Sequence, residues 1–126
     1  MKNVIWDPRT TPNFTRAEMA CKCGCGQCEM RHDFMDQLQA YRNRVGPLTV
    51  NSGYRCPNHP REVLKDAPGP HAQGRAADMV WPACGKHEAL RVAFVMGVFK
   101  GVGWEGDFLH LDNGHDYKHR PAAWRY

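Results

Sequence analysis

No apolar stretch in this 126-residue chain is long enough to cross a bilayer, so a membrane-spanning helix is excluded and a membrane partner is not expected. The opening run Met1-Lys2-Asn3-Val4-Ile5-Trp6-Asp7-Pro8 lacks the apolar centre of a secretory signal. The expectation is a chain made in the cytoplasm, with no export route of its own. There is no internal repeat and no low-complexity tract, which argues against a solenoid or a linker array. Charge of one sign is also scarce. The net charge of +4 is spread out, and basic residues gather only at Tyr41-Arg42-Asn43-Arg44 and Lys118-His119-Arg120. A nucleic-acid footprint needs a denser stripe and a recognisable module, so nucleic acid is not an expected partner. A mild positive charge is compatible with an anionic surface.

What is present is the composition of an ordinary globular chain. It has 42% hydrophobic and 24% charged residues, and a length that fills one core without room for a second module. A single domain over 1–126 is expected, as a monomer, with 1–13 an extended N-terminal segment. Thr15 followed by Glu18 is a capping box that starts a short helix. Phe34, Leu38, Tyr41 and Val45 recur at helical spacing, which predicts a helix over His32–Val45, stopped by Gly46-Pro47. Leu48-Thr49-Val50-Asn51-Ser52 reads as a strand, Pro57–Leu64 as one or two helical turns, and Asp66–Pro70 as irregular. Ala76–Trp81 reads as a buried strand. Gly85–Lys100 reads as a helix with Leu90, Phe94 and Val98 on one face, and Gly101–Trp104 and Phe108–Asn113 as two more strands. This order predicts a small α+β fold, a largely antiparallel sheet covered by helices.

Six cysteines are many for this length. Cys21, Cys23, Cys25 and Cys28 share one glycine-rich run, 21–28, that must be a loop, while Cys56 and Cys84 lie apart. Without a secretion signal, dense cysteines more often bind metal than build a disulfide framework. The Cys25-Gly26-Gln27-Cys28 spacing suits a zinc knuckle, whereas Cys21-Lys22-Cys23 is tighter than usual. A structural zinc on Cys21, Cys23, Cys25 and Cys28 is one reading. Free buried thiols or a single disulfide are the others.

Three residues carry the chemistry. His71 opens the run His71-Ala72-Gln73-Gly74-Arg75-Ala76-Ala77-Asp78, and His110 sits in Asp107-Phe108-Leu109-His110-Leu111-Asp112. Two imidazoles and a carboxylate form a catalytic zinc set that leaves the fourth position to water or substrate. On a strand, Asp78 and Ala76 share a face, so a small residue leaves room beside the ligand. His110 and Asp112 share a face, with Leu109 and Leu111 turned to the core. Asp107, at the strand start, is a carboxylate placed to take a proton from the attacking water. Arg55 follows Asn51-Ser52-Gly53-Tyr54 and suits either a substrate carboxylate, a developing oxyanion or a structural salt bridge. Ser52 and Asp112 are candidate supports behind these groups. Histidines 32, 59, 87, 115 and 119 lack such a context and receive no role.

Ser52-Gly53-Tyr54-Arg55-Cys56, His71-x-x-Gly74-x-Ala76-x-Asp78, Gly101-Val102-Gly103 and Asp107-x-x-His110-x-Asp112 together resemble the zinc D-Ala-D-Ala carboxypeptidase family. That family includes L-alanyl-D-glutamate endopeptidases of phage lysis systems, and hedgehog proteins share its fold. The resemblance runs from about Phe14 to the end. It implies zinc on His71, Asp78 and His110 at the open sheet face, Asp107 as general base, and Arg55 on substrate or oxyanion. It implies a zinc peptidase acting on peptidoglycan stem peptides, as a D-Ala-D-Ala carboxypeptidase or, alternatively, an L-Ala-D-Glu endopeptidase. A zinc-bearing wall-binding or virion part is the non-enzymatic alternative, against which the retained Asp107 argues. The tail Arg120–Tyr126 looks like small single-domain members of phage and prophage origin. They are made in the host cytoplasm and act at the wall after release, or are carried on the virion. One departure stands out: Gly69 occupies the place of the usual family Ser, two residues before the first ligand.

Overall fold

The Thr15 hydroxyl accepts from the Glu18 backbone N–H at 3.2 Å, and the Glu18 carboxylate accepts from the Thr15 N–H at 2.7 Å. This is the expected capping box, and it opens α1 (Arg16–Met19). A computed structural model describes residues 4–65, 67–114 and 120–126. α2 spans His32–Val45 and buries Phe34, Met35, Leu38, Tyr41 and Val45, the stripe set by its helical spacing. It ends at Gly46, whose φ of 92° closes the helix with an N–H bond to the Arg42 carbonyl.

The sheet has five strands: β1 (Val50–Ser52), β2 (Ala76–Met79), β3 (Gly101–Trp104), β4 (Leu109–Asp112) and β5 (Ala122–Arg125). Their order is β1-β2-β4-β3-β5, antiparallel except for the parallel β3–β5 pair. The α+β class and the largely antiparallel sheet are as the sequence predicts. Val50, Ala77, Met79, Val102, Leu109 and Leu111 pack in one buried cluster with Phe34, Leu38, Tyr41, Ala89, Val92 and Ala93 from the helices. Alternation along each strand then turns Asp78, His110 and Asp112 to the opposite face.

Several expectations are corrected. α3 is Lys86–Met96, shorter than 85–100, because Gly97 takes a left-handed φ of 69°. Its inner face is Ala89, Val92 and Ala93, while Phe94 is 51% exposed. The small side chains bring α3 close enough for the Tyr41 hydroxyl to donate to the Ala89 carbonyl at 2.7 Å. Pro57–Leu64 forms hydrogen-bonded turns rather than helix. β5 was not foreseen in the polar tail. Its four residues have no core-facing apolar alternation, and the strand exists through pairing with β3. The N-terminal segment is not simply extended, since Asp7 caps a 3-10 turn at Pro8–Thr10. Trp6 is buried, with its indole N–H on Thr11 Oγ1 at 2.8 Å and its backbone N–H on the Met30 carbonyl.

Candidate active site

β2 and β4 pair so that Asp78 and His110 face each other on one rung of the ladder. The side chains meet there, with His110 Nδ1 2.8 Å from Asp78 Oδ1. His71 arrives from the turn before β2, and its Nε2 lies 3.3 Å from Asp78 Oδ2. Gly74 makes that turn possible. Its φ is 73°, and a Cβ there would stand 2.0 Å from the Glu29 carbonyl oxygen. The donor atoms of His71, Asp78 and His110 all lie within 4.8 Å of one another. A tetrahedral zinc with ligands near 2.0–2.1 Å needs donors about 3.4 Å apart, so the set fits that ion.

The outer nitrogen of each imidazole is held. His71 Nδ1 lies 2.7 Å from the Gly53 carbonyl, so it carries the proton and leaves Nε2 for a metal. His110 Nε2 lies 2.7 Å from Asp112 Oδ2, a partner for its proton that would leave Nδ1, on the Asp78 side, to a metal. Asp112 is fully buried, and Arg120 grips it with Nε at 3.1 Å and Nη2 at 2.8 Å. Burial opposes ionisation of Asp112, but His110 and Arg120 override it and hold its carboxyl down to about 2. Burial likewise works against Asp78, and His110 and His71 bring it well below the usual carboxylate range. His71 is pushed below the ordinary imidazole value by burial, while His110 is raised because Asp112 and Asp78 outweigh burial.

Arg55 stands over this set. Its Nη2 is 3.2 Å from Asp78 Oδ2, its Nε donates to Ser52 Oγ at 3.2 Å, and its Nη1 is 3.8 Å from buried Glu62. The salt bridge and the exposure of Arg55 to the site thus coexist. Ser52 supports the arginine as a hydrogen-bond acceptor. Asp107 is exposed on the β3–β4 hairpin loop and lines one cleft with Ser52, Arg55 and Asp78. Trp81 steadies that loop, its indole N–H donating to the Glu105 carbonyl at 3.0 Å and the Gly106 carbonyl at 3.1 Å. A second cleft adjoins the first at Arg55, Arg61, Asp78 and Phe108, and continues over His71 and His110 to Arg120, Trp124 and Tyr126. Each lobe has about 370 Å³, enough for a short peptide segment.

The match to a family of known proteins agrees with this geometry. The family model described as Peptidase M15 covers residues 12–112, most of the chain.

The chain belongs to peptidase family M15.

Membership makes the M15 chain a zinc metallopeptidase of a family that acts on peptidoglycan, in a fold consistent with the sheet described above. No curated protein matches it. β5 lies beyond the matched residues, so the wall it adds is read from this chain alone.

The structure brings His71, Asp78 and His110 together and sets Arg55, Asp107, Ser52 and Asp112 around them. It does not bring Cys28 to the other loop cysteines. Cys21, Cys23 and Cys25 are joined by Cys56 instead, and Cys28 packs half-buried against the core. Cys56 lies 28 positions beyond Cys28, so only the fold brings it to the loop. His59, given no role, lines the cleft, and His115 and His119 lie outside the described residues. Arg120, Trp124 and Trp81 were missed. One signal for Trp124 was in the sequence: Gly101-x-Gly103 on one strand face marks a close approach. A Cβ on Gly103 would stand 2.6 Å from the Trp124 ring, and one on Gly101 would stand 2.2 Å from Asp112 Oδ2. Gly69, the departure from the family pattern, is buried with its N–H on Glu62 Oε1 at 3.3 Å. A side chain there would press on the Lys65 ammonium, which is 2.9 Å from the added Cβ.

Proposed function

We propose that this M15 peptidase trims peptidoglycan stem peptides by removing a terminal D-alanine. The observation that supports this reading is the set of cations along the two clefts that meet at Asp78. Arg55, Arg61, Lys65 and Arg120 line the lobe that contains both histidines. Lys65 and Arg120 are held by Glu62 and Asp112, so a terminal carboxylate would meet Arg61 and the guanidinium of Arg55, whose planar fork matches it bidentately.

His71 Nε2, Asp78 and His110 Nδ1 would hold the zinc. When bound, the metal polarises the scissile carbonyl and acidifies the attacking water. Asp107, exposed to the cleft, accepts the proton of that water and returns it to the leaving amine. Arg55 offers its guanidinium to the tetrahedral oxyanion or the terminal carboxylate. Asp112 keeps the proton on His110 Nε2, so Nδ1 stays a ligand.

A second reading is an L-Ala-D-Glu endopeptidase. It is supported by the cleft, which continues on both sides of Asp78. An endopeptidase holds chain on both sides of the scissile bond. Incubation with purified muropeptides separates the two by product mass and amino-acid analysis. Release of free D-alanine is the expected outcome, and cleavage between L-alanine and D-glutamate would establish the second reading instead. The proposed setting, phage-type lysis of the wall, is supported by the resemblance of the tail Arg120–Tyr126 to small single-domain members. Among the described residues no helix is long and apolar enough to cross a membrane.

A further inference from the structure

We propose that Cys21, Cys23, Cys25 and Cys56 form a second metal site that takes one zinc ion as a tetrathiolate, with Cys28 outside it. The four sulfurs converge, all within 4.8 Å of one another. Cys23 Sγ is 3.4 Å from Cys21 Sγ and 3.4 Å from Cys56 Sγ. Zinc–sulfur bonds of about 2.3 Å put tetrahedral sulfurs about 3.8 Å apart, so the cluster already has the size of a zinc site. A disulfide would engage two of the sulfurs at about 2.05 Å and leave two thiols facing it without purpose.

The surrounding backbone suits thiolates. The Cys56 N–H donates to Cys21 Sγ at 3.3 Å, and the Gln27 N–H donates to Cys25 Sγ at 3.4 Å. Such N–H groups offset negative charge on sulfur. Gly24 and Gly26 take φ of 97° and 73°, the left-handed backbone that lets a short loop wrap its side chains around one point. The Cys21 N–H donates to the Gln27 carbonyl at 2.8 Å and closes that loop. Two ligands are buried, Cys21 and Cys56, and two face solvent, so the ion has an entry path.

The site has a structural consequence. Cys56 follows Arg55 directly, so a metal here ties the knuckle to the segment that presents the arginine to Asp78. The same loop sets Lys22 on the cleft wall. The ion therefore acts at a distance as a positioning device, and its own binding does not depend on the peptidase reading.

Metal analysis of the full chain, with thiol counting after unfolding in chelator, tests this. Wild type and Cys28→Ser should each hold two zinc ions, and should release six and five thiols respectively. His110→Ala should keep one ion, and Cys56→Ser should lose one. Cobalt loading of His110→Ala provides a test that does not require Cys56→Ser to fold. It should give thiolate-to-cobalt charge-transfer absorption that saturates at one equivalent and survives the added Cys28→Ser change. Absence of that absorption, its loss on Cys28→Ser, or only four titratable thiols would each overturn the proposal. A wild-type chain with one zinc that keeps it in His110→Ala would support this site and refute the catalytic one.

Discussion

Asp112 does more at residue scale than its position two after His110 implies. It is pinned by Arg120 on one side and engages His110 Nε2 on the other. Asp112→Asn should therefore weaken zinc binding by about 10–100-fold, the usual cost of losing such a support, as read by competition with a chelator. His110→Ala should abolish binding at that site altogether, and metal analysis that still found it occupied would sink the ligand assignment. Asp107 has the opposite profile, because it lines the cleft without joining the donor set. Asp107→Asn should keep zinc and fold, yet lose about a hundredfold or more in kcat, as removal of a general base does. Near-normal turnover on a good muropeptide would end that role. Arg55→Lys should also impair turnover, since one ammonium cannot reach Ser52, Asp78 and substrate together.

Elements explain why part of this was legible in the sequence and part was not. α2 was readable to its ends because one apolar stripe and one terminating glycine act over a single local stretch. The meeting of Asp78 and His110 was readable because residue type and strand alternation suffice to put them on one face. Cys56, Arg120 and Trp124 were not, since each reaches its partner only when distant segments meet. The face of α3 differs from the expected one at Phe94, which is exposed, while Ala89, Val92 and Ala93 are buried and Tyr41 reaches the Ala89 carbonyl. β5 gives the clearest element-scale prediction. Gly103→Ala would drive a methyl into the Trp124 ring and should cost about 1–3 kcal/mol, as overpacking does. Thermal unfolding measures the loss, and a shift in tryptophan fluorescence shows whether β5 has moved. An unchanged melting temperature and spectrum would mean that β5 does not seat on β3 as described.

Across the whole molecule, stability should follow acid through the group held furthest from solvent. A depressed carboxyl stabilises the fold in full above the unfolded value of about 3.9, and loses that contribution as pH falls through the folded value. For Asp112 the folded value is about 2, so its share of stability disappears between roughly pH 4 and pH 2. Comparing melting temperatures over that range, Asp112→Asn should show a shallower acid decline than wild type. A parallel decline in the two proteins would show that other groups govern acid unfolding.

The pairing of Asp78 with His110 on one rung has a further meaning for how the chain matures. Metal capture at that rung requires two strands 32 residues apart to have found their alignment, since a slip by one residue would present Ala77 to His110. An ion retained there thus certifies that the non-local half of the sheet is correctly assembled. During refolding, uptake at this rung should trail helix formation, which needs only neighbouring residues. Stopped-flow circular dichroism alongside a zinc-sensitive dye would resolve the order, and metal uptake preceding the helical signal would contradict it.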